Sequence, residues 1–457
     1  LGLYSHQIDM LKFALKHPKC CFLAEMGTGK TRPAILAYYN RKKRGLNKPC
    51  LIVAPATVLY NWQNEIEAVK KNLTSVVLYG SFSKREELLC TEADFYIINY
   101  DYLLKFEKQL ISKNFGMLIV DELTYVKHHT ALRTKALRSI SKDIPYRLGL
   151  TGSPITNTPM DVFSEMLIID PSLFGTQFYA FRNIYFYNLG RNFPVWKPKE
   201  HKLREIADKV STISIMFRKE DCLDLPPVVF EQRFVEVTPK IAKAYDDMNK
   251  RLIVELDELG STASVNIVLT KIMRLAQITS GFIKSDDGYI FQIDTSPKIK
   301  ELMRMLGSEL YGRKVIVWCR FIHTIETLVA LLEKEGYNPA VLYGKTKDKQ
   351  GAIDKFQNDE SCKVFVGQIG IGFGFNLTAS NIMIYIENDF SVENRIQTLA
   401  RNNRIGQTSD KLTVIDLVVD KSIDTYMLKM FQKNMSVAEI MYGIINKKHK
   451  EGRLDIE

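Results

Sequence analysis

The 457-residue chain contains no run of about 18 consecutive apolar residues, so a membrane-spanning helix is not expected. No signal peptide is legible, and the chain opens on Leu1 rather than Met, which leaves room for residues upstream. Cysteine is sparse and oddly numbered: Cys20, Cys21, Cys50, Cys90, Cys222, Cys319 and Cys362, with no C-x-x-C pair. That count excludes a full disulfide framework, and the spacing speaks against zinc. Cys20, Cys21, Cys50 and Cys319 fall in or beside apolar runs and read as small buried hydrophobes in a reducing compartment. The seven histidines show no metal-ligand spacing. Low-complexity tracts and repeats of solenoid period are also missing, which excludes linker-like and array architectures.

What is present is an ordinary globular balance, 46% hydrophobic and 25% charged, in a chain long enough for two or three domains. Lys plus Arg exceed Asp plus Glu by 63 to 52, a net charge of +11, which favours a polyanionic partner, most simply nucleic acid. Through residues 1–155 short apolar runs alternate with amphipathic stretches. Cys20–Ala24, Cys50–Ala54, Val76–Tyr79, Phe95–Asn99, Met117–Val120 and Arg147–Leu150 read as strands, with Thr31–Arg44 and Thr57–Lys70 as helices between them. Several runs are apolar on both faces, as parallel strands covered by helices must be. The pattern recurs in Lys314–Cys319, Ala340–Tyr343, Lys363–Gly367, Ile382–Ile386 and Thr413–Val419, with helices at Ile325–Glu335 and Lys349–Gln357. The expected class is α/β, two doubly wound parallel-sheet lobes with helical insertions between them. We expect a first lobe at 1–160, helical protrusions and a linker at 161–295, a second lobe at 296–445 and a basic tail at 446–457. In the middle stretch, Ile241–Leu259 and Val265–Ser280 carry long helical periodicity, and Pro226-Pro227 and Pro239 bracket an extended crossover.

One segment carries recognisable phosphate chemistry. Glu25-Met26-Gly27-Thr28-Gly29-Lys30-Thr31 follows a predicted strand and opens a predicted helix. Glycines let backbone N–H groups close around phosphates, and the helix N-terminus adds a positive dipole. Lys30 is placed to reach the β- and γ-phosphates of ATP, and Thr31 to ligate Mg²⁺. Downstream, the apolar run Leu118–Val120 ends in Asp121-Glu122: Asp121 suits the Mg²⁺ water shell, and Glu122 suits a general base on the attacking water. Thr151-Gly152-Ser153 follows the next strand; small hydroxyl residues there can link the carboxylates to the cleft, and an ordinary strand-to-loop turn explains them equally well. Arg401 and Arg404 lie three apart, on one face of an expected helix. Guanidinium suits the charge of a transferring phosphoryl group, although spacing alone favours a solvated pair.

Taken in order, these segments resemble the superfamily-two helicases, and within them the Swi/Snf-type DNA translocases. The likeness covers nearly the whole chain. Tyr4-Ser5-His6-Gln7 resembles the glutamine motif, which implies that Gln7 reads adenine. Leu51–Pro55 with Ala56, Thr57, Asn61-Trp62 and Glu65 resembles motif Ia, and Ile98-Asn99-Tyr100 motif Ib. Asp121-Glu122 corresponds to motif II and Leu150–Asn157 to motif III. Val315–Phe321, which includes Arg320, resembles motif IV. Gly370–Leu377, with Gly372, Gly374 and Asn376, resembles motif V, and Gln397, Arg401 and Arg404-Ile405-Gly406-Gln407 motif VI. Asn61-Trp62 and the Arg-Ile-Gly-Gln ending mark this branch, and Phe217-Arg218-Lys219 with Leu225-Pro226-Pro227 resembles its linker.

The resemblance implies two RecA-like lobes and ATP hydrolysis, with Mg²⁺, coupled to movement along duplex DNA. Gly374 and Gln397 join the nucleotide-binding set, and Arg401 and Arg404 sense closure over the nucleotide. Pro55, Ala56, Thr57, Asn99, Tyr100, Arg320, Gly372 and Asn376 are the implied nucleic-acid contacts, mainly through backbone amides and short polar side chains. Thr124 replaces the usual motif II histidine, His128 the usual Asn, and Gly370-Ile371-Gly372 the usual Ala-Gly-Gly run. These departures, with short protrusions, resemble bacterial or phage members. A cytoplasmic setting follows, or a nuclear one in a eukaryote, and a targeting, defence or repair partner protein is compatible. The alternatives are a strand-separating or annealing helicase acting on single-stranded nucleic acid, and an ATP-gated clamp or scaffold with weak turnover. The aromatic stretch Phe178–Asn188 is read as helical core, and the Lys447-Lys448-His449-Lys450 run as a solvated tail.

Overall fold

The computed structural model describes residues 2–433, apart from 71, 153–158, 191–195, 224, 260–264, 372–374 and 405. The basic tail, Ser153, Gly372, Gly374 and Ile405 therefore lie outside the described residues. The chain divides between Leu225 and Pro226 into two compact units.

The first unit is built on β1 (Lys19–Ala24), β2 (Cys50–Ala54), β3 (Ser75–Val77), β4 (Phe95–Asn99), β5 (Met117–Asp121) and β6 (Tyr146–Thr151). A small antiparallel pair, β7 (Phe186–Asn188) and β8 (Trp196–Pro198), precedes the return strand β9 (Ser214–Phe217). The main sheet runs β3-β4-β2-β5-β6-β1-β9 with all neighbours parallel. All five positions of β2 and of β4 are buried, because helices cover both faces. Alternate residues serve opposite cores. Phe22, Ile52, Ile97 and Ile119 pack with Ile35, Tyr38 and Trp62, while Leu23, Val53, Ile98 and Val120 pack with Leu137 and Ile168.

The second unit opens with β10 (Val228–Val235), then the antiparallel pair β11 (Phe282–Lys284) and β12 (Ile290–Gln292). Its main sheet adds β13 (Val315–Cys319), β14 (Ala340–Leu342), β15 (Val364–Gln368), β16 (Ile382–Tyr385) and β17 (Leu412–Val419), in the parallel order β10-β17-β16-β13-β15-β14. Val315, Val317, Val366, Ile384 and Leu417 meet Leu302, Met305 and Leu328 in its core.

Both sheets are α/β and parallel, as the sequence implied. The stretch 161–295, expected to hold helical protrusions and a linker, is shared between the units, its first part up to Leu225 in one and its remainder in the other. It is not only helical. β9 extends the first sheet beside β1, and the expected extended crossover after Pro226-Pro227 is an eight-residue strand registered along the whole of β17. Prolines are tolerated there because they precede the first ladder position. The helices Pro239–Leu259 and Val265–Thr279 form where periodicity placed them. Of the stretch Phe178–Asn188 read as helical core, Phe178–Tyr185 is a helix with Phe181 and Tyr185 buried, but Tyr179 and Tyr187 are exposed and Phe186–Asn188 is a strand.

Candidate nucleotide-binding site

The loop after β1 turns twice through left-handed backbone, at Gly27 (φ 90°) and Gly29 (φ 78°). A side chain at either position would be strained. Between them Thr28 is buried, its hydroxyl donating to the Glu25 carbonyl at 2.8 Å. The Lys30 ammonium rests on the Ala24 carbonyl, where β1 ends, at 2.6 Å. Thr31 then starts a helix to Lys43. Pro33 sits in its first turn, where a missing N–H removes no intrahelical bond, and Arg41, Lys42 and Lys43 in the last turn oppose the negative end of the helix dipole.

The glutamine motif closes on this loop from behind. Gln7 is the third residue of the helix Ser5–Lys16; its Oε1 accepts the Tyr4 N–H at 3.1 Å and its Nε2 donates to the Gly29 carbonyl at 3.1 Å. His6 Nε2 lies 2.8 Å from the Thr28 carbonyl. Both side chains are 3% exposed, so a purine edge would have to share or displace the bonds that Gln7 already makes. His6, given no role by the sequence, is a second clamp on the loop. Glu25 is exposed and accepts the Lys219 N–H at 3.0 Å. Met26 lies against Gly152: a Cβ there would stand 3.4 Å from Met26 Cγ.

At the end of β5, Asp121 Oδ2 accepts the indole N–H of Trp62 at 2.8 Å. Glu122 turns left-handed (φ 57°, ψ 65°), and its Oε1 accepts the Thr124 hydroxyl at 3.2 Å. The Tyr100 hydroxyl donates to the Asp121 carbonyl at 2.7 Å, with Glu122's carbonyl at 3.3 Å. Burial pushes the Tyr100 phenol well up, helped by the nearby Asp121 and Glu122 charges. Thr151, buried at the end of β6, is in register with Leu23. Parallel order therefore brings the ends of β1, β5 and β6 together, and with them the loop, the carboxylates and Thr151.

Two implied nucleic-acid contacts turn inward. Tyr100 is 2% exposed and braces motif II. Asn99, 5% exposed, accepts from Arg85 at 3.4 Å and donates to Asp101 at 3.3 Å. Pro55 is buried, whereas Ala56 is exposed and Thr57 half-buried, on the 3₁₀ turn Ala56–Val58 that leads into the helix Leu59–Val69. In the second unit Asn376 is exposed. Arg320 stands 3.2 Å from Asp389 and over the Phe390 ring at 4.4 Å; burial pulls its guanidinium down and Asp389 partly offsets that.

Arg401 and Arg404 do not share a helix. The helix Val392–Leu399 ends before them, with Ala400 at its C-cap, and both lie in the following turn. Arg401, 5% exposed, donates from Nε to the Gln397 carbonyl at 3.1 Å. The turn is held by Asn402 and Gln407, whose amides both donate to the Ser380 carbonyl, at 2.6 and 2.9 Å. Sequence reasoning missed Arg395, which pairs with Asp416 inside this unit.

Among the described residues no group of three or more His, Cys, Asp or Glu side chains could hold a metal ion by itself. Thr31 and Asp121 fit a hard cation that brings phosphate oxygens and water as its remaining ligands, which is how Mg²⁺ is held beside a nucleotide. The left-handed glycines, the lysine at the strand end and the threonine opening the helix fit a nucleotide polyphosphate.

Fold and loop together define a phosphate-loop protein with paired parallel-sheet units. The chain belongs to the SNF2-related family: the SNF2-related domain matches residues 6–281, and a helicase conserved C-terminal domain follows over 297–406. An uncharacterized ATP-dependent helicase of Mycoplasma genitalium is 26% identical over 88% of this chain and 38% of its own length. Chromodomain-helicase-DNA-binding protein 1-like of Danio rerio is 26% identical over 89% of this chain and 41% of its own. This chain thus spans about two fifths of those relatives. A solved structure, the Sulfolobus solfataricus SWI2/SNF2 ATPase core in complex with dsDNA, aligns with a TM-score of 0.47 at 22% identity, over 95% of this chain and 91% of that one. Bacterial and eukaryotic relatives match at equal identity. Among the described residues no helix is long and apolar enough to cross a membrane.

Proposed function

We propose that this chain is an ATP hydrolase stimulated by duplex DNA, which it tracks along without reading sequence. The observation that supports this best is the placing of Lys30 and Thr31 after β1 and of Asp121 and Glu122 at the end of β5, on the same edge of one parallel sheet with only β6 between them. The loop amides and Lys30 would hold the phosphates, Thr31 and Asp121 would hold Mg²⁺, and Glu122 would take the proton of the attacking water. When bound, Mg²⁺ supplies Lewis-acid charge on the phosphates. Arg401 and Arg404 are proposed to neutralise charge on the transferring phosphoryl group. Family membership supports the ATP chemistry, and the net charge of +11 supports a polyanionic track.

Steady-state ATP hydrolysis measured with no nucleic acid, duplex DNA, single-stranded DNA and RNA, each at two salt concentrations, tests the reading. Stimulation by duplex DNA that fades with salt and vanishes in Lys30→Ala is expected. Stimulation by single strands alone would replace the reading with a strand-separating helicase. Tight ATP-dependent DNA retention without turnover would replace it with a clamp.

A further inference from the structure

The Asp121 carboxylate is held from a distant part of the chain. Trp62 is 1% exposed, and its indole N–H donates to Asp121 Oδ2 at 2.8 Å. A donor sealed from water and aimed at an ionised acceptor makes one of the stronger classes of hydrogen bond. Three residues further on, and so on the same side of the helix Leu59–Val69, Glu65 Oε2 accepts from Arg32 Nε at 3.1 Å. Arg32 directly follows Thr31. One helix thus grips both elements that carry the candidate cation ligands, the end of β5 through Trp62 and the start of the phosphate-loop helix through Glu65. That helix grows out of the turn Ala56–Val58, where Ala56 is exposed and Thr57 half-buried, the two residues of the turn that the resemblance implies as DNA contacts. A second brace comes from motif Ib: Tyr100, next to Asn99, holds the Asp121 and Glu122 carbonyls through its hydroxyl, where Glu122 turns left-handed.

We propose that the helix Leu59–Val69 and Tyr100 form the relay through which bound duplex DNA sets the position of the hydrolytic carboxylates, with Trp62, Glu65 and Tyr100 as positioning residues. This rests on the reading of the chain as a duplex-stimulated ATP hydrolase. A phosphate drawn to the Ala56–Val58 turn loads the first turn of the helix, where N–H groups lack intrahelical partners. The helix moves as a rigid rod, and both grips move with it. Asp121 and Thr31 therefore shift together, which makes the cation site respond to DNA as a unit. The relay lies wholly in the first unit and uses no residue of motif III.

The test has a readout independent of turnover. The chain contains three tryptophans, Trp62, Trp196 and Trp318. In chain labelled with 5-fluorotryptophan, the ¹⁹F line of Trp62, assigned by its loss in Trp62→Phe, is followed as duplex DNA is added without nucleotide. The line is expected to move in step with DNA binding measured by the anisotropy of a labelled duplex; an unmoved line with duplex bound overturns the relay. In parallel, Trp62→Phe and Tyr100→Phe are expected to lower the ratio of duplex-stimulated to basal turnover by about tenfold, the scale of losing one buried hydrogen bond. Duplex Kd should stay within about twofold. If Trp62→Phe melts early, Tyr100→Phe and Glu65→Gln, which remove one oxygen and one charge, carry the same comparison. A full stimulation ratio in folded variants overturns the relay while leaving the parent reading intact. Absence of duplex stimulation in the unmodified chain overturns both.

Discussion

Asp416→Asn is the sharpest probe of what holds the second unit together. Arg395 and Asp416 pair side by side, Nη1 to Oδ1 at 2.8 Å and Nη2 to Oδ2 at 2.7 Å. Their side chains are 7% and 4% exposed. Asn388 completes the ring, accepting from Arg395 at 2.7 Å and donating to Asp416 at 2.8 Å. The Tyr385 ring lies 3.5 Å from the guanidinium carbon. Asparagine keeps the shape and one acceptor but removes the charge, leaving a buried cation with neutral partners. Breaking a buried pair costs about 3–5 kcal/mol, and the retained acceptor puts this case near about 3 kcal/mol. That is roughly a hundredfold in an opening equilibrium. Native-state hydrogen exchange by mass spectrometry resolves it: peptides over β16 and β17 should exchange about a hundredfold faster, while those over β2 and β5 stay unchanged. Replacing both partners, Arg395→Met with Asp416→Leu, should return protection to within about 1 kcal/mol, since matched apolar groups leave no charge stranded. An Asp416→Asn chain within about 1 kcal/mol of the unmodified one, or a double variant as weak as the single, would refute the assignment.

Thr124→Val keeps a β-branched shape at a buried position and deletes the hydroxyl that anchors Glu122; duplex-stimulated turnover should fall about tenfold with nucleotide affinity unchanged, and equal turnover would show that Thr124 does not orient the base. The thiols should divide by burial: with Ellman's reagent at pH 8, exposed Cys90 should react first and half-buried Cys222 more slowly. Burial pushes Cys20 up to about 12 and raises Cys21, Cys50, Cys319 and Cys362, so those five should stay silent until denaturant is added, and early labelling of any of them would contradict the packing.

Much of the fold was legible because buried parallel strands write themselves as unbroken apolar runs. Cys50–Ala54 and Phe95–Asn99 form over the residues the sequence picks out. β10 hides because it is an edge strand whose Glu231, Gln232 and Arg233 face partly to solvent, which dilutes the apolar signal. β9 hides because four residues after a long helix make too short a run to read. In the site, the phosphate loop and Asp121-Glu122 were legible as local motifs. The bonds from Trp62 to Asp121 and from Gln7 to Gly29 were not, since they join residues 59 and 22 positions apart and only tertiary packing makes them neighbours. Arg401 and Arg404 kept a helical spacing after the helix had ended, and periodicity cannot show where a C-cap falls.

The left-handed backbone at Glu122 has a bearing on protein engineering. A non-glycine residue held at φ 57° stores about 1–2 kcal/mol of conformational strain, and glycine would release much of it at the expense of the carboxylate. Selection of this chain for heat tolerance alone would thus favour, at this one position, variants that last longer but lack the carboxylate proposed as the general base. Libraries aimed at a hardier version should keep position 122 fixed and look for their gains on solvent-facing helix positions, where robustness and chemistry are not in competition.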